Sequence, residues 1–356
     1  MEVILRNGQL TAIASTHGAE LLSLRQSHHN HANCDHGHSA DSYTEYLWNG
    51  NPAYWPWHSP VLFPIVGSLK ENQIRLPEIA AVRRTSERQA SDYTASNCKS
   101  SVSLSTNALP PRAASVDGHV IHLSRHGFAR DCEFSVEKHC ETSAVFLLRA
   151  SLETLQSYPY LFALRVQHKL TETGFLTNFS VTNEGRSPMP FCIGAHPGFC
   201  CPLKPSEQFS DYDLIFDKAE QLPLQSLCFT KDGLVLPNAS ASLETTTKKE
   251  TATTVLPLNR KLFADYDTLA FQALRSNSVT LRSRKSGCGL RLNFRGFPFL
   301  ALWAKPEPEA SFLCIEPWHG CPAFANESGC FTDKPGCMVL EAGETQQLTF
   351  SVEILN

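Results

Sequence analysis

The sequence lacks the features that mark membrane, secreted or nucleic-acid-binding proteins. No run approaches the roughly 20 apolar residues needed to cross a bilayer, and residues 1–8 lack the basic start and long apolar stretch of a signal peptide. The formal net charge is only -4, from 31 basic and 35 acidic side chains, which argues against a surface built for nucleic acid. We therefore expect a cytoplasmic protein with neither a membrane nor a nucleic-acid partner.

Paired cysteine motifs are also missing. None of the 13 cysteines belongs to a C-x-x-C pair, so a structural zinc site has little support and free thiols are expected in a reducing compartment. One cluster of metal-ligand residue types lies within residues 27–43, but its spacing follows no finger pattern. We interpret it as a polar insertion rather than a transition-metal site, and we predict no bound metal. Its members are His28, His29, His31, Cys34, Asp35, His36 and His38.

The sequence is rich in alternating apolar and polar residues. Residues 162–170 place their large apolar side chains on one parity, and residues 175–181 repeat the pattern after a turn, which predicts an antiparallel pair of strands. Residues 290–294 and 348–354 alternate in the same way. His168 shares the apolar parity of the first strand and is predicted to be packed. Because long amphipathic helices are scarce, we predict an all-β fold, a large antiparallel β-sandwich.

Three stretches interrupt this strand pattern. Residues 27–43, 80–116 and 237–254 are rich in small and polar residues, and they contain too few large apolar side chains to offset the entropy of ordering. We predict that they are surface insertions, partly disordered, within one domain that spans residues 1–356.

Ionisable groups suited to proton transfer occur in three short segments. Together the segments supply two imidazoles and one carboxylate, which is a sufficient set for moving protons on and off a neutral polar substrate near pH 7. They are SRHGFAR (124–130) with His126, GAHPGF (194–199) with His196, and CIEPWHG (314–320) with Glu316.

Each of these groups has a chemical and a structural interpretation. Apolar residues lead to Glu316, which predicts a buried strand that ends at Pro317 and a carboxylate whose proton affinity is raised, as suits a general base. The alternative is a structural carboxylate paired with an arginine. His196 precedes a Pro-Gly turn that would present its ring, and the arginines near His126 would favour a neutral imidazole. The alternatives are a core histidine and a turn histidine bonded to backbone.

The three segments, with six further blocks in the same order, resemble the aldose 1-epimerase (galactose mutarotase) family, especially its LacX-like branch. The resemblance runs nearly the whole length of the chain. The further blocks are GAEL (18–21), YLW (46–48), SPVLFPIVG (59–67), PMPF (188–191), GFPFL (296–300) and WAKP (303–306).

The resemblance implies a role for each site residue. It implies that Glu316 is the general base, that His196 is the general acid and that His126 orients the sugar near its ring oxygen. Asp267 resembles the hydroxyl-binding aspartate of the family, with Asp265 as the alternative. The implied fold is a β-supersandwich with the site on a concave sheet face, and no metal or cofactor is used.

The implied reaction opens and closes a cyclic aldose. A base removes the proton of the C1 hydroxyl, an acid protonates the ring oxygen, and closure after rotation about the C1–C2 bond inverts the anomeric carbon. We expect the two groups to lie on different sides of the sugar, and Trp303 or Trp318 to stack on its C–H face or to pack in the core. The partner is therefore predicted to be a small-molecule sugar.

Two positions depart from the branch. Trp57 stands where a basic residue is expected before the SPVLFPIVG block, and Ser68 replaces an arginine after it, so two sugar or phosphate contacts are lost or changed. A hexose 6-phosphate is therefore a weaker alternative to a free hexose. A non-catalytic sugar-binding or regulatory protein on the same scaffold is the main rival. A glycosidase would need a second carboxylate in a comparable motif.

Overall fold

The fold is known from a computed structural model that describes residues 1–28, 43–77, 119–248 and 253–356. Of the predicted insertions, almost all of 27–43 and the whole of 80–116 lie outside the described residues, and so does the histidine cluster beyond His28. None of the helices in the described part of the chain is long and apolar enough to span a membrane.

Strands form most of the regular structure. The N-terminal part contains β1 (Glu2–Asn7), β2 (Leu10–Ser15), β3 (Leu21–Ser27), β4 (Tyr43–Glu45), β5 (Val61–Leu62), β6 (Gln73–Arg75), β7 (Val120–His122), β8 (Ser135–Cys140) and β9 (Ser143–Arg149). The middle part contains β10 (Phe162–Leu170), β11 (Gly174–Asn183), β12 (Met189–Phe191), β13 (Ile193–Ala195), β14 (Gly198–Cys200), β15 (Tyr212–Phe216), β16 (Leu224–Phe229), β17 (Val235–Leu243), β18 (Thr246–Lys248) and β19 (Thr253–Pro257). The C-terminal part contains β20 (Thr268–Gln272), β21 (Ser278–Ser283), β22 (Gly289–Asn293), β23 (Phe299–Trp303), β24 (Phe312–His319), β25 (Met338–Leu340) and β26 (Thr345–Leu355).

Helices are short and few. Within the described ranges the α-helices are α1 (Thr154–Ser157) and α2 (Lys261–Tyr266). Single 3-10 turns lie at Lys70–Asn72, Ala129–Asp131, Phe209–Asp211 and Phe331–Asp333.

Two large sheets carry the architecture. One has ten strands in the order β18-β19-β15-β21-β22-β26-β11-β10-β9-β8, and the other runs β17-β16-β20-β23-β24-β13-β5 with β14 also paired to β24. The strand pairs within both sheets are antiparallel. Smaller sheets contain β1 to β4 in order, β12 with β25, and β6 with β7.

The core lies between the two large sheets. Phe216 of β15 packs edge-on against Phe271 of β20, with ring centres 5.9 Å apart, so side chains of the two sheets interdigitate. One continuous cluster of buried apolar residues contains members of both sheets, among them Phe162, Leu164, Leu302 and Ile315. The predicted all-β antiparallel sandwich is therefore confirmed.

The predicted strands are found at their predicted places. Residues 162–170 form β10, and their partner β11 pairs with them in antiparallel register, with Val166 opposite Phe179. The alternation at 290–294 and 348–354 lies in β22 and β26. His168 is packed, with 3% of its surface exposed.

The stretch 237–254, predicted to be a partly disordered surface insertion, contains strands in the part that the structure describes. β17 crosses residues 235–243 and β18 follows it at the edge of the other sheet. Ser and Asn alternate with Ala in β17, and Thr fills β18, so few large apolar residues mark these strands as half-buried.

Candidate active site

Glu316 is delivered by a central strand of the eight-stranded sheet, and only 1% of its surface is exposed. The strand does not end at Pro317, as the sequence suggested, but continues to His319. The Ile315 N–H donates to the Pro197 carbonyl at 3.2 Å, towards β13 and β14. N–H groups two residues apart in a strand point to the same side, so an N–H at position 317 would also point towards β13 and β14. The ladder is already interrupted there between these two strands, and this is the side on which Pro317 lacks its N–H.

His196 lies in the turn that interrupts this ladder. β13 pairs with β24 through Gly194 and β14 through Gly198, and the turn between them leaves the sheet. The His196 N–H donates to the Pro60 carbonyl at 3.1 Å, which fixes the turn. Glycine is required at 198, because a Cβ there would lie 2.7 Å from the ring of Trp55.

The two predicted catalytic groups are in direct contact. His196 Nε2 lies 3.2 Å from Glu316 Oε2, and the Trp318 indole N–H donates to the same oxygen at 3.1 Å. The other ring nitrogen of His196, Nδ1, is buried and has no hydrogen-bond partner among the described residues. The expectation that the groups lie on different sides of a sugar does not fit this contact. Their polar atoms are placed to reach two neighbouring oxygens rather than opposite faces.

Burial sets the protonation of this pair. Desolvation raises the pKa of Glu316 well above its usual range; the Trp318 hydrogen bond opposes this rise and the charge of Asp267 adds to it. Desolvation lowers the pKa of His196 to about 3. Both shifts favour uncharged groups, so the contact holds one proton between carboxyl and imidazole. Whichever group carries that proton, the pair has no net charge.

His126 lies beside this pair in a left-handed backbone conformation, with φ of 70°. The Gly67 N–H donates to His126 Nδ1 at 3.1 Å, and the Gly67 carbonyl accepts from the His126 N–H at 2.9 Å. Because a backbone N–H can only donate, the neutral ring carries its proton on Nε2. Burial lowers the pKa of His126 well below its usual range, and its ring centre is 5.5 Å from that of His196. His126 is thus a neutral hydrogen-bond donor held next to the pair.

Trp57 and Ser68, which replace expected basic residues, both contact arginines of the 124–130 segment. The Arg130 guanidinium lies over the Trp57 ring, 4.6 Å from its centre. Arg125 Nε donates to Ser68 Oγ at 2.8 Å. After desolvation, these two positive charges contribute to the lowered pKa of His196. Positive charge near the site therefore comes from the segment that carries His126.

Tryptophan rings pack around the imidazole of His196. Trp55 stacks on it with ring centres 4.8 Å apart and 29° between the planes, and Trp303 meets it edge-on at 5.8 Å. Trp303 is partly exposed, whereas Trp318 is buried and bonded to Glu316. Of the two rings predicted to stack on a sugar or to pack, Trp318 is packed. Trp55 was missed by the sequence reasoning, because nothing local indicates which ring a distant turn will contact.

Asp267, rather than Asp265, is the aspartate whose charge raises the pKa of Glu316. Asp267 directly follows α2 with φ of 56°, is exposed, and contributes to the raised pKa of Glu316. Asp265 lines a different groove together with Ser242 and Thr246. Of the two aspartates that the sequence left open, Asp267 is therefore the one whose charge reaches the pair. Its hydroxyl-binding role stays a prediction.

Comparisons with known proteins identify the family of the chain. A sequence model described as Aldose 1-epimerase matches residues 111–353. The chain is 33% identical over 358 residues to the plasmid-encoded protein LacX of Lactococcus lactis subsp. lactis, and the match covers 100% of each chain. The chromosomal LacX of the same organism is 32% identical, also over the full length of both chains.

Solved structures show the same architecture. A galactose mutarotase related enzyme from Lactobacillus acidophilus matches with a TM-score of 0.75 and 28% identity, over 100% of this chain and 98% of that one. A galactose mutarotase-like protein from Lactobacillus casei matches with a TM-score of 0.72 and 27% identity, over 100% of both chains. The resemblance noted in the sequence is confirmed. With its sandwich, its ordered motifs and its full-length relatives, the chain belongs to the aldose 1-epimerase family.

Proposed function

We propose that the protein interconverts the α and β anomers of a hexose by acid–base ring opening and closure. Glu316 is the general base and His196 the general acid. The observation that carries the proposal is the 3.2 Å contact between these two buried groups, which share one proton. Family membership supports a sugar substrate.

The contact suits the reaction because the two reacting oxygens, the C1 hydroxyl and the ring oxygen, are bonded to the same carbon. The Glu316 carboxylate takes the hydroxyl proton while the His196 imidazolium protonates the ring oxygen. After rotation about C1–C2, the two transfers reverse. Transfer of the shared proton from the carboxyl group to the imidazole gives the reactive carboxylate–imidazolium form, and reaction with the sugar returns the pair to the carboxylic acid and imidazole that burial favours. The net charge of the buried site therefore stays at zero throughout. Each transfer of this kind contributes about 10²–10⁴-fold.

The neighbouring residues have roles that follow from their chemistry. The Nε2–H of His126 donates to the sugar near its ring oxygen, and the exposed carboxylate of Asp267 accepts from a sugar hydroxyl. Trp303 offers a partly exposed ring to the apolar face of the pyranose.

Polarimetry on freshly dissolved α-glucose and α-galactose tests the proposal. The protein should speed the drift to equilibrium, and Glu316→Gln should return it to the buffer rate, since the amide cannot take a proton. Glu207→Gln is the matched control, because Glu207 is also buried but is bonded to Tyr212 and Ser283 away from the pair. Drift at the buffer rate with wild-type protein that still binds sugar would instead support a non-catalytic sugar-binding protein.

A hexose 6-phosphate is the alternative substrate, favoured by one observation. Arg125 and Arg130 both lie close enough to lower the pKa of His196, and arginine is the residue best suited to hold phosphate. Rates on glucose and glucose 6-phosphate, measured for wild type and Arg125→Gln, distinguish the two. A loss confined to the phosphorylated sugar identifies it as the substrate.

A further inference from the structure

We propose that Cys314, Glu316 and His196 form a binding site for a borderline divalent cation such as Zn²⁺, and that the bound ion blocks the acid–base reaction. Metal binding stands by itself. The inhibition rests on the proposed function, because the ion would occupy the atoms that exchange protons.

The distances fit a tetrahedral ion. One ligand atom from each of the three side chains lies within 4.8 Å of the other two, and the nitrogen and oxygen in contact are 3.2 Å apart. Zn–N and Zn–O bonds of about 2.0–2.2 Å at a tetrahedral angle place such atoms about 3.4 Å apart, and a Zn–S bond of about 2.3 Å adds little. Side-chain movements on the order of 1 Å complete the site.

The backbone already holds the three ligands in place. Cys314 and Glu316 are two residues apart in β24, so their side chains leave the same face of the strand. The turn of His196 is bonded to that strand between them, through the Ile315 N–H and the Pro197 carbonyl. Among the residues that the structure describes, these form the one cluster of three such side chains within ligand distance.

The donor set determines the class of ion. A thiolate, a carboxylate and a neutral imidazole carry two negative charges, which a divalent cation neutralises, so the buried centre would be uncharged. Sulfur and nitrogen ligands favour Zn²⁺ or Co²⁺ over Mg²⁺ and Ca²⁺, which take oxygen ligands. Three protein ligands leave the fourth position to water, as in zinc sites with an open coordination position.

Metal and sugar would compete for the same two atoms. A cation bound to Glu316 Oε2 and His196 Nε2 removes the base and the acid together. Zn²⁺ should therefore inhibit anomerisation competitively with sugar, and EDTA should restore the rate.

Co²⁺ serves as the spectroscopic probe of the site. Titration of EDTA-treated, buffer-exchanged full-length protein should give a saturable near-ultraviolet thiolate-to-cobalt band with one ion per chain. Cys314→Ser should lose this band. The matched control is Cys201→Ser, because Cys201 is equally buried but is not part of the cluster. His196→Asn, which keeps the thiol, should weaken binding at least tenfold, and circular dichroism checks the fold of each variant.

The outcomes separate the two proposals. A band that survives in Cys314→Ser, or no thiolate band in the wild type, overturns the metal site whatever the activity. Anomerisation in EDTA that Zn²⁺ leaves unchanged overturns the inhibition alone. No anomerisation in EDTA, with the cobalt band present, counts against the proposed function and leaves the metal site standing. In the inhibition assay, each variant is compared with its own rate in EDTA, and Cys314→Ser should need at least tenfold more Zn²⁺ than wild type for half-inhibition.

Discussion

Two buried histidines of this protein, His168 and His196, differ in their hydrogen-bond partners. Both ring nitrogens of His168 are bonded, to Thr177 Oγ1 at 2.9 Å and to the Ala19 carbonyl at 2.8 Å. His196 has Glu316 at one nitrogen and no partner at the other among the described residues. One ring is fully satisfied, and the other retains an unused hydrogen-bonding group.

The direction of the pKa shift does not distinguish the two histidines. Burial lowers the pKa of His168 to about 4 and that of His196 to about 3. Their hydrogen-bond partners distinguish them: the backbone carbonyl beside His168 cannot exchange a proton, whereas the carboxyl group beside His196 can. A buried histidine is therefore a candidate for catalysis when its neighbour titrates as well.

The largest expected effect comes from His196→Asn. Anomerisation should fall by about 10²–10⁴-fold, because asparagine cannot protonate the ring oxygen. The free energy of unfolding should also fall, because the contact of Nε2 with Glu316 and the stacking on Trp55 are lost, so the rate is taken per folded molecule. Polarimetry and urea unfolding measure the two quantities, and a variant with more than a tenth of the wild-type rate would contradict the assignment.

A loss of stability without a loss of rate is expected for His168→Phe. The ring is replaced at similar size, but the Ala19 carbonyl and the Thr177 hydroxyl lose their partners in the core. The free energy of unfolding should fall by about 1–3 kcal/mol, while the rate per folded molecule stays at the wild-type value. Loss of activity without loss of stability would show that His168 acts on the site.

The dependence of stability on pH provides a second test of His168→Phe. An unfolded histidine is protonated below about pH 6.5, whereas the pKa of folded His168 is lowered to about 4. Between these pH values only the unfolded chain gains the proton, so the free energy of unfolding falls as the pH is lowered. Urea unfolding at pH 7 and pH 5 should show a smaller difference for His168→Phe than for wild type. An equal difference would mean that other groups account for the whole slope.

A smaller effect is expected from Trp318→Phe. The indole N–H lowers the pKa of Glu316, so its removal lets that pKa rise further and reduces the carboxylate form. The rate near neutral pH should fall about tenfold, and the acid side of the pH–rate profile should move to higher pH. A uniform loss at all pH values would indicate a packing defect instead.

The smallest effect is expected at the aspartates. Asp267→Asn weakens one sugar contact and should raise KM about fivefold with little change in kcat. Asp265→Asn is the matched control, because Asp265 lies in the neighbouring groove. Equal effects of the two substitutions would leave the hydroxyl-binding residue unassigned.

The sequence predicted those parts of the fold that depend on local alternation. β10 and β11 were found because their large apolar residues share one face. β17 was missed because Ser, Asn and Ala alternate there without large side chains. The predicted end of β24 at Pro317 was wrong, because a proline is tolerated in a sheet where the neighbouring ladder is interrupted. That interruption lies between β13 and β14, about 120 residues earlier in the chain, so the residues around Pro317 do not reveal it.

The site was predicted in its residue types but not in its arrangement. His126, His196 and Glu316 stand out in their segments, but the contact between the last two was not predicted, because the two groups were expected on different sides of a sugar. The Trp55 ring on His196 and the left-handed His126 depend on long-range packing, which no local pattern records. Cys314 had a signal, since it shares the parity of Glu316.

The turn of His196 is bonded to the same strand that carries Glu316. Both side chains are thus fixed to the same sheet, Glu316 in β24 and His196 in the turn bonded to it, so a shift of one large sheet against the other would move them together.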